Sequence, residues 1–507
     1  MALMASLKVH WPKCKHIVEL ERNLSTEVDV RLSFTQYCQW WLALIDGCDV
    51  ALVTIDMLPD LALLEIFDFY IYAKQIEAWH TLVHVCREWR NIVFGSPSRL
   101  NLQLYCRSRA PVREMLDVWP PLPIVVGAFT SRHGLAWPED NIIAALEHNN
   151  RICIIDLQGI SNSRSVLAAM QQPFPILTRL YLDFKDETAP VDPTSFLGGS
   201  APGLESLRLD RLSIPGLPKL LLSATHLVRL ALYDIPHSGY ITPEAMVTGL
   251  SVLTRLEKLD IGFKSPRCRP DRRSRRPPPQ TRIVLPILTD FRFVGVSEYL
   301  EDLLPRIDTP LLKGLNIVFF HQLTFDTPQI AQFIGRTSNF KSHDKAQVYF
   351  TREKASVSFA STFDGSLYFD INCRPSDWQL SSLAQVCSSS FPQALIPLVE
   401  HLYILESRGS PPRWQGDVES SQWLELLLTF TAVKSLYISR ELAPRVAPSM
   451  QELVGERVTE VLPDLQTIFL EETLTSGPVQ EAIGQFVSAR EHAGYPIITS
   501  HWEYKYF

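Results

Sequence analysis

The sequence predicts an α/β protein in which a small three-helix module precedes a long solenoid of parallel strands. Two observations support this prediction. A dense helical pattern of apolar residues ends near residue 94, and from residue 152 onward a short apolar motif recurs. With 507 residues, of which 46% are hydrophobic, the chain can bury a large core but is too long for one compact domain.

The composition excludes several classes of function. The net charge of −7 gives no general basis for binding nucleic acid, which requires a basic surface. The nine cysteines are odd in number, scattered and without a CxxC pair, so we expect free thiols in a reducing compartment. Neither a secretory signal nor an apolar run of about 18 residues is evident, so we expect a cytoplasmic or nuclear protein without a membrane partner.

Changes of pattern divide the chain into five segments. The first has no clear pattern beyond helical pieces near 34–45, and the third contains a strand-like alternation at Leu100, Leu102 and Leu104. The predicted segments are an N-terminal segment (1–54), a helical module (55–100), a connecting region (101–150), the solenoid (151–475) and a C-terminal cap (476–507).

The helical module has more apolar side chains than a few short helices can bury. Pro59 suits a first helical turn, where its missing N–H costs nothing. A second apolar stripe contains Trp79, Leu82, Cys86 and Trp89 at spacings of three, four and seven. The surplus requires a partner or the following domain.

This module resembles an F-box, and the longer phrase EAWHTLVHVCREWRNIVFGSPSRLNL is similar to the F-box-like proteins of mushroom-forming (basidiomycete) fungi. Leu61 departs from the acidic residue common at its position. The residues that match the family's partner-facing or core positions are Leu58, Pro59, Leu63, Leu64, Ile66, Phe67, Val85 and Trp89.

The resemblance implies a substrate-recognition adaptor of an SCF-type cullin ubiquitin ligase. The module would bind the Skp-family linker subunit and thereby the cullin complex, and the rest of the chain would bind a target protein. The alternative is a repeat scaffold without a ubiquitin role, in which the module only caps the solenoid.

The recurring motif has the form apolar, two others, apolar, one other, apolar. It includes Leu177/Leu180/Leu182 and Leu204/Leu207/Leu209, and it returns at Val399, Val433 and Leu465. Successive starts up to residue 312 are separated by roughly 23–32 residues, near the period of about 20–29 in leucine-rich repeats. We therefore predict a degenerate leucine-rich-repeat-like solenoid, with ordinary α/β segments as the alternative.

Two stretches depart from the motif. Residues 318–398 lose it, and FASTFDGSLYFDINC suggests a hairpin about Asp364-Gly365. Residues 264–282 are basic and proline-rich, which predicts an exposed loop. This loop is either a solvated linker or a nuclear-import or acidic-partner motif.

Strand residues between the apolar ones should face away from the core and form the concave surface of a curved solenoid. Tyr and Arg are favoured at binding hot spots, which makes this surface a candidate target-binding face, although exposed strand positions are polar by default. Its candidate residues are Arg179, Tyr181, Asp183, Arg208, Asp210, Arg229, Tyr233, Lys258 and Asp260.

We find no sequence pattern for catalysis, cofactor or metal. His80 and His84 have the spacing of a zinc pair, but Thr81 replaces the glutamate of a zinc peptidase motif. The glycine-rich stretch 198–203 has neither GxGxxG spacing nor a GK[ST] ending. We therefore expect a protein that is not an enzyme and has no cofactor.

Overall fold

A computed structural model of the chain divides into two compact units, residues 1–100 and 101–507. The possible helix near 34–45 lies outside the residues that the structure describes. Those residues are 58–74, 78–106, 112–128, 139–160, 163–185, 196–214, 216–270, 281–322, 324–340, 343–360, 365–373, 378–391, 395–414, 420–453, 455–471 and 477–502.

The described part of the first unit contains three helices: α1 (Asp60–Lys74), α2 (Ala78–Val83) and α3 (Arg87–Gly95). Cys86 is the N-cap of helix α3, and its side chain accepts a hydrogen bond from the Trp89 backbone N–H at 3.4 Å. The rings of Phe67 on α1 and Trp89 on α3 lie 4.7 Å apart between centroids. Large aromatic contacts therefore hold these short helices together.

The second unit is built on one long sheet in which almost every neighbouring pair is parallel. Its helices are α4 (Val112–Val118), α5 (Glu139–Leu146), α6 (Ser163–Ala169), α7 (Leu217–Leu221), α8 (Pro243–Leu250), α9 (Ser297–Leu303), α10 (Pro328–Arg336), α11 (Gln379–Ser390), α12 (Ser420–Leu428), α13 (Ala443–Gln451) and α14 (Pro478–His492). Its strands are β1 (Leu104–Cys106), β2 (Ile124–Ala128), β3 (Ile152–Ile160), β4 (Arg179–Phe184), β5 (Ser206–Asp210), β6 (Arg229–Ile235), β7 (Lys258–Phe263), β8 (Ile283–Val284), β9 (Asp290–Gly295), β10 (Ile307–Asp308), β11 (Gly314–Phe320), β12 (Lys345–Phe350), β13 (Lys354–Ala360), β14 (Ser366–Asn372), β15 (His401–Glu406), β16 (Ser435–Ile438), β17 (Thr467–Glu471) and β18 (Ile498–Trp502). Strands β8 and β10 form a separate two-stranded sheet.

The predicted solenoid of parallel strands is confirmed, and a ladder of leucines runs through it. Leu180, Leu207, Leu230 and Leu259 are register partners on the parallel strands β4 to β7, and all four are buried. Helices that follow one another in the chain pack side by side along this sheet. Each repeat thus buries its apolar strand face only by stacking on the neighbouring repeats, as in a leucine-rich-repeat-like solenoid.

The sheet extends beyond the solenoid boundaries that the sequence predicts. Strands β1 and β2, in the expected connecting region, pair in parallel and lead into β3. At the other end, β18 lies in the expected cap and pairs in parallel with β17. The leucine motif underestimates the array because β1 has only three residues, β2 has isoleucine and valine in place of leucine, and β18 is largely exposed.

The lapse of the motif at 318–398 marks a change of strand direction. Strand β13 runs antiparallel between β14 and β12, and these outer two strands are parallel to β11 and β15 respectively. The predicted hairpin is confirmed as the β13–β14 pair. Residues 361–364, which include Asp364, lie outside the described part of the chain.

Polar side chains join neighbouring repeats on the helix side. The buried guanidinium of Arg490 donates to several carbonyl groups 25 to 32 residues earlier, including those of Val458 and Pro463. The Glu301 carboxylate accepts from the backbone N–H groups of Gln329 and Ile330 at 3.0 and 2.8 Å, at the first turn of α10. These bonds satisfy backbone groups that repeat ends and helix ends leave without an internal partner.

The basic segment 264–282 is partly packed, which corrects the expectation of a fully exposed loop. Cys268 is buried because its small apolar thiol lies near the end of β6, with Sγ 4.0 Å from the Ile235 carbonyl oxygen. Arg269 lies 3.6 Å from the Glu298 carboxylate. Residues 271–280, with most of the arginines and the proline run, lie outside the described part of the chain.

Candidate binding face

All nine residues of the predicted target-binding face project from the sheet face opposite the helices. The register places them in rows across β4, β5, β6 and β7: Arg179 with Arg229 and Lys258, Tyr181 with Arg208 and Asp260, and Asp183 with Asp210 and Tyr233. They are exposed or half-buried, whereas their neighbours within each strand, except Asp234, are buried. We call this set the charged face.

Arg208 occupies the centre of the charged face. Its guanidinium carbon lies 4.3 Å from the Tyr181 ring centroid and 4.8 Å from that of Tyr233. It also donates two hydrogen bonds to Asp210, from Nε to Oδ1 at 3.2 Å and from an Nη to Oδ2 at 2.9 Å. Two cation–π contacts and a two-point carboxylate contact fix this side chain in one geometry.

Two further ion pairs lie beside Arg208 and at the edge of this face. Arg211, directly after β5, forms an ion pair with Asp183. It has a φ of 60°, and its backbone N–H donates to the Tyr233 carbonyl at 2.9 Å. Lys258 lies 3.9 Å from Asp290 on β9. The charged face therefore presents fixed charges of both signs.

Burial and neighbouring charges shift the pKa of several side chains on and beside this face. Burial, followed by the neighbouring Asp210, raises the pKa of Tyr181 to about 12, so its hydroxyl remains a donor, 3.4 Å from Asp210. The hydrogen bond that Arg208 donates to Asp210 raises the pKa of Arg208. Burial raises the pKa of Asp156, a register partner of Tyr181 on β3.

In the helical module, the residues that match the F-box pattern fall into two groups. Leu63, Leu64 and Phe67 are core residues; Leu64 is 6% exposed and Phe67 is fully buried. The remaining five reach the surface: Leu58, Ile66 and Trp89 are half-buried, and Pro59 and Val85 are exposed. Leu61 (62% exposed) and Tyr72 (76%), outside the predicted set, are the most exposed large apolar side chains of the module's described part.

A second feature of the outward sheet face was missed from the sequence. Tyr403, Tyr437 and Phe469, on β15 to β17, form a stack with centroid distances of 4.2 and 4.4 Å. The signal was present, because each lies between the two final apolar residues of a returning motif. The same alternation rule that predicted Tyr181 and Arg208 would have found them.

The described residues contain no cluster of three or more His, Cys, Asp or Glu side chains arranged to hold a metal. None of the helices in the described ranges is both long and apolar enough to cross a membrane. Burial raises the pKa of the Cys106 thiol to about 12 and that of Cys373 to about 11, which opposes formation of a reactive thiolate at either residue.

Comparisons with known proteins give distant structural similarity. No protein-family model and no curated protein matches the chain. Among solved structures, the leucine-rich repeat-containing protein LegL7 from Legionella pneumophila aligns over 76% of this chain and 97% of its own, with 11% identity and a TM-score of 0.26. The assignment of a leucine-rich-repeat-like solenoid to this chain rests on its own strand pairing.

Proposed function

We propose that the chain is a protein-interaction adaptor whose charged face binds a target protein. The observation that carries this proposal is the fixed Tyr181–Arg208–Tyr233 stack with its paired carboxylates. A side chain held in one conformation before binding loses less entropy when a partner docks, and Tyr and Arg are favoured hot-spot residues.

We further propose, on the resemblance to the F-box, that the helical module binds the linker subunit of an SCF-type cullin ubiquitin ligase. Apolar side chains on the module's surface support this, since exposed apolar groups favour a protein partner. If this proposal holds, the charged face recruits the protein to be ubiquitinated. If the module does not bind the linker subunit, the chain is a repeat scaffold without a ubiquitin role.

The test is co-purification of the full chain with the linker subunit. Leu64 and Phe67 are unsuitable positions, because aspartate in the core of the module would unfold it. Leu61→Glu combined with Val85→Glu instead places charges at exposed apolar positions. We expect these changes to abolish co-purification, while Thr81→Glu, which adds a charge at an exposed polar position of α2, leaves it intact.

Circular dichroism and the melting temperature check that each variant is folded. Equal recovery of the linker subunit with wild type and the folded double variant contradicts binding through this surface. No recovery with wild type contradicts the ubiquitin-ligase role but leaves target binding by the charged face to be tested separately.

A further inference from the structure

Tyr403, Tyr437 and Phe469, which we call the aromatic strip, lie on three adjacent parallel strands. They are register partners, and the planes of neighbouring rings differ by only 11° and 5°. Both faces of the Tyr437 ring are therefore covered by its neighbours. All three side chains are half-buried, so the stack presents ring edges and the tyrosine hydroxyls at the surface.

Toward β18, the described strand residues in the row of the aromatic strip and in the preceding row are uncharged, whereas Lys345 and His401 lie in the preceding row on β12 and β15. The register continues the row to Gln347 on β12 and Ser500 on β18. Ser435 and Thr467 precede Tyr437 and Phe469 by two positions on the same face. The acid in the following row, Glu471, is buried, and its carboxylate already binds Arg408 and the Arg440 backbone N–H.

The chain itself shows which chemistry this surface accepts. Trp502, on the last strand, lies against the aromatic strip, with its ring centroid 5.4 Å from that of Tyr437 at an interplanar angle of 77°. Its indole N–H donates to the Ile438 backbone carbonyl at 3.4 Å. An aromatic side chain with one hydrogen-bond donor thus packs edge to face on the stack.

We propose that the aromatic strip binds an extended, uncharged peptide segment of a partner protein through an aromatic side chain that packs beside Trp502. This inference rests on the proposed use of the outward sheet face for protein binding, but it concerns a different surface from the charged face. Beside Trp502, a charged side chain would lose its hydration against the rings and find Ser435, Thr467 and Ser500, not a counter-ion, at the neighbouring register positions, so this part of the surface selects an uncharged segment. Stacking of a sugar on Tyr437 is disfavoured because both faces of that ring are covered.

The probe is a phage-displayed library of random dodecapeptides, selected on the immobilised full chain. Ser500→Glu places a charge next to Phe469 in the register without removing a ring. Thr499→Glu is the matched control, because this exposed neighbour on β18 points to the opposite side of the strand. Selected peptides are then synthesised, and their affinity for each protein is measured by fluorescence anisotropy.

We expect selected peptides to be uncharged and to contain an aromatic residue. Ser500→Glu and the double variant Tyr403→Ser, Phe469→Ser should weaken binding at least about tenfold, the loss typical of a hot-spot residue. Thr499→Glu should change it less than about twofold. Arg208→Ala should also have no effect, which separates this site from the charged face.

Three results would overturn the proposal. One is a set of selected peptides whose binding is insensitive to Ser500→Glu. Another is a set rich in charged residues or lost with Arg208→Ala. The third is retention by the aromatic strip of neutral oligosaccharides from a glycan array but of no peptide. Because Ser500→Glu alters no packed side chain of the strip, it remains informative even if the double variant does not fold.

Discussion

The charged face and the aromatic strip lie on the same side of one sheet and have the same strand geometry, yet they are held by different physical forces. Arg208 is fixed by a carboxylate and by two tyrosine rings. Tyr437 is fixed by two parallel rings and the edge of Trp502. The first arrangement depends on charge and should respond to salt, whereas the second depends on apolar contact and should not.

The two regions share the same kind of buried core. Beneath both surfaces the inward residues are leucines and isoleucines in register, such as Leu207 with Leu230 in one region and Leu402 with Leu436 in the other. The repeat therefore separates two requirements along each strand. Inward positions stack the repeats on one another, and outward positions form the surface.

The largest expected effect tests this shared core. Leu230→Ala and Leu436→Ala each remove a fully buried side chain, one under each region. Each should lower the free energy of unfolding by about 2–5 kcal/mol, through lost burial and the cavity left behind. Urea denaturation followed by circular dichroism measures the loss. A loss below about 1 kcal/mol at only one site would mean that the two regions do not have equivalent cores.

A smaller effect separates the two outward surfaces. Tyr437→Ala removes a half-buried ring and should cost about 2 kcal/mol, equally in low and high salt. Arg208→Ala should cost about 1 kcal/mol, because its side chain is 43% exposed and solvent screens the ion pair, and most of this loss should disappear in about 1 M salt. Thermal unfolding at two salt concentrations, with Ser358→Ala on β13 as control, tests the contrast. Equal salt dependence of the two variants would contradict it.

The repeat strands and the nine residues of the charged face could be predicted because both follow from an alternation with a period of two. The alternation does not reveal pairings that depend on turns. Arg211, whose own φ is positive, pairs with Asp183. Asp234 also has a positive φ and lies where the β6–β7 register shifts. Neither follows from the spacing of leucines.

Three further features could not be predicted from the sequence, each for a specific reason. The burial of Leu64 and Phe67 depends on how α1 to α3 pack, and a helical stripe alone does not distinguish a core position from a partner-facing one. Strands β1 and β2 lack the leucine motif, so the start of the solenoid could be found only from strand pairing. Trp502 reaches the aromatic strip from a strand with no repeat signature, and only the tertiary structure shows this contact.

The smallest predicted effect uses pH to test whether the charged face extends to β3. Burial raises the pKa of Asp156, with Gln158, Arg208 and Arg179 acting in the opposite direction. A carboxyl group whose pKa is higher in the folded state stabilises the fold at a pH below its unfolded pKa, about 3.9, and this contribution is lost as the pH rises through the folded pKa. At neutral pH the ionised carboxylate is therefore less favourable in the folded protein than a neutral group of the same shape.

Asp156→Asn should raise the melting temperature by about one degree at pH 7, because asparagine can still accept the Gln158 hydrogen bond, and the gain should vanish near pH 4. A lower melting temperature at pH 7 would instead show that the Asp156 carboxylate is stabilised by the arginines and belongs to the paired charges of the charged face.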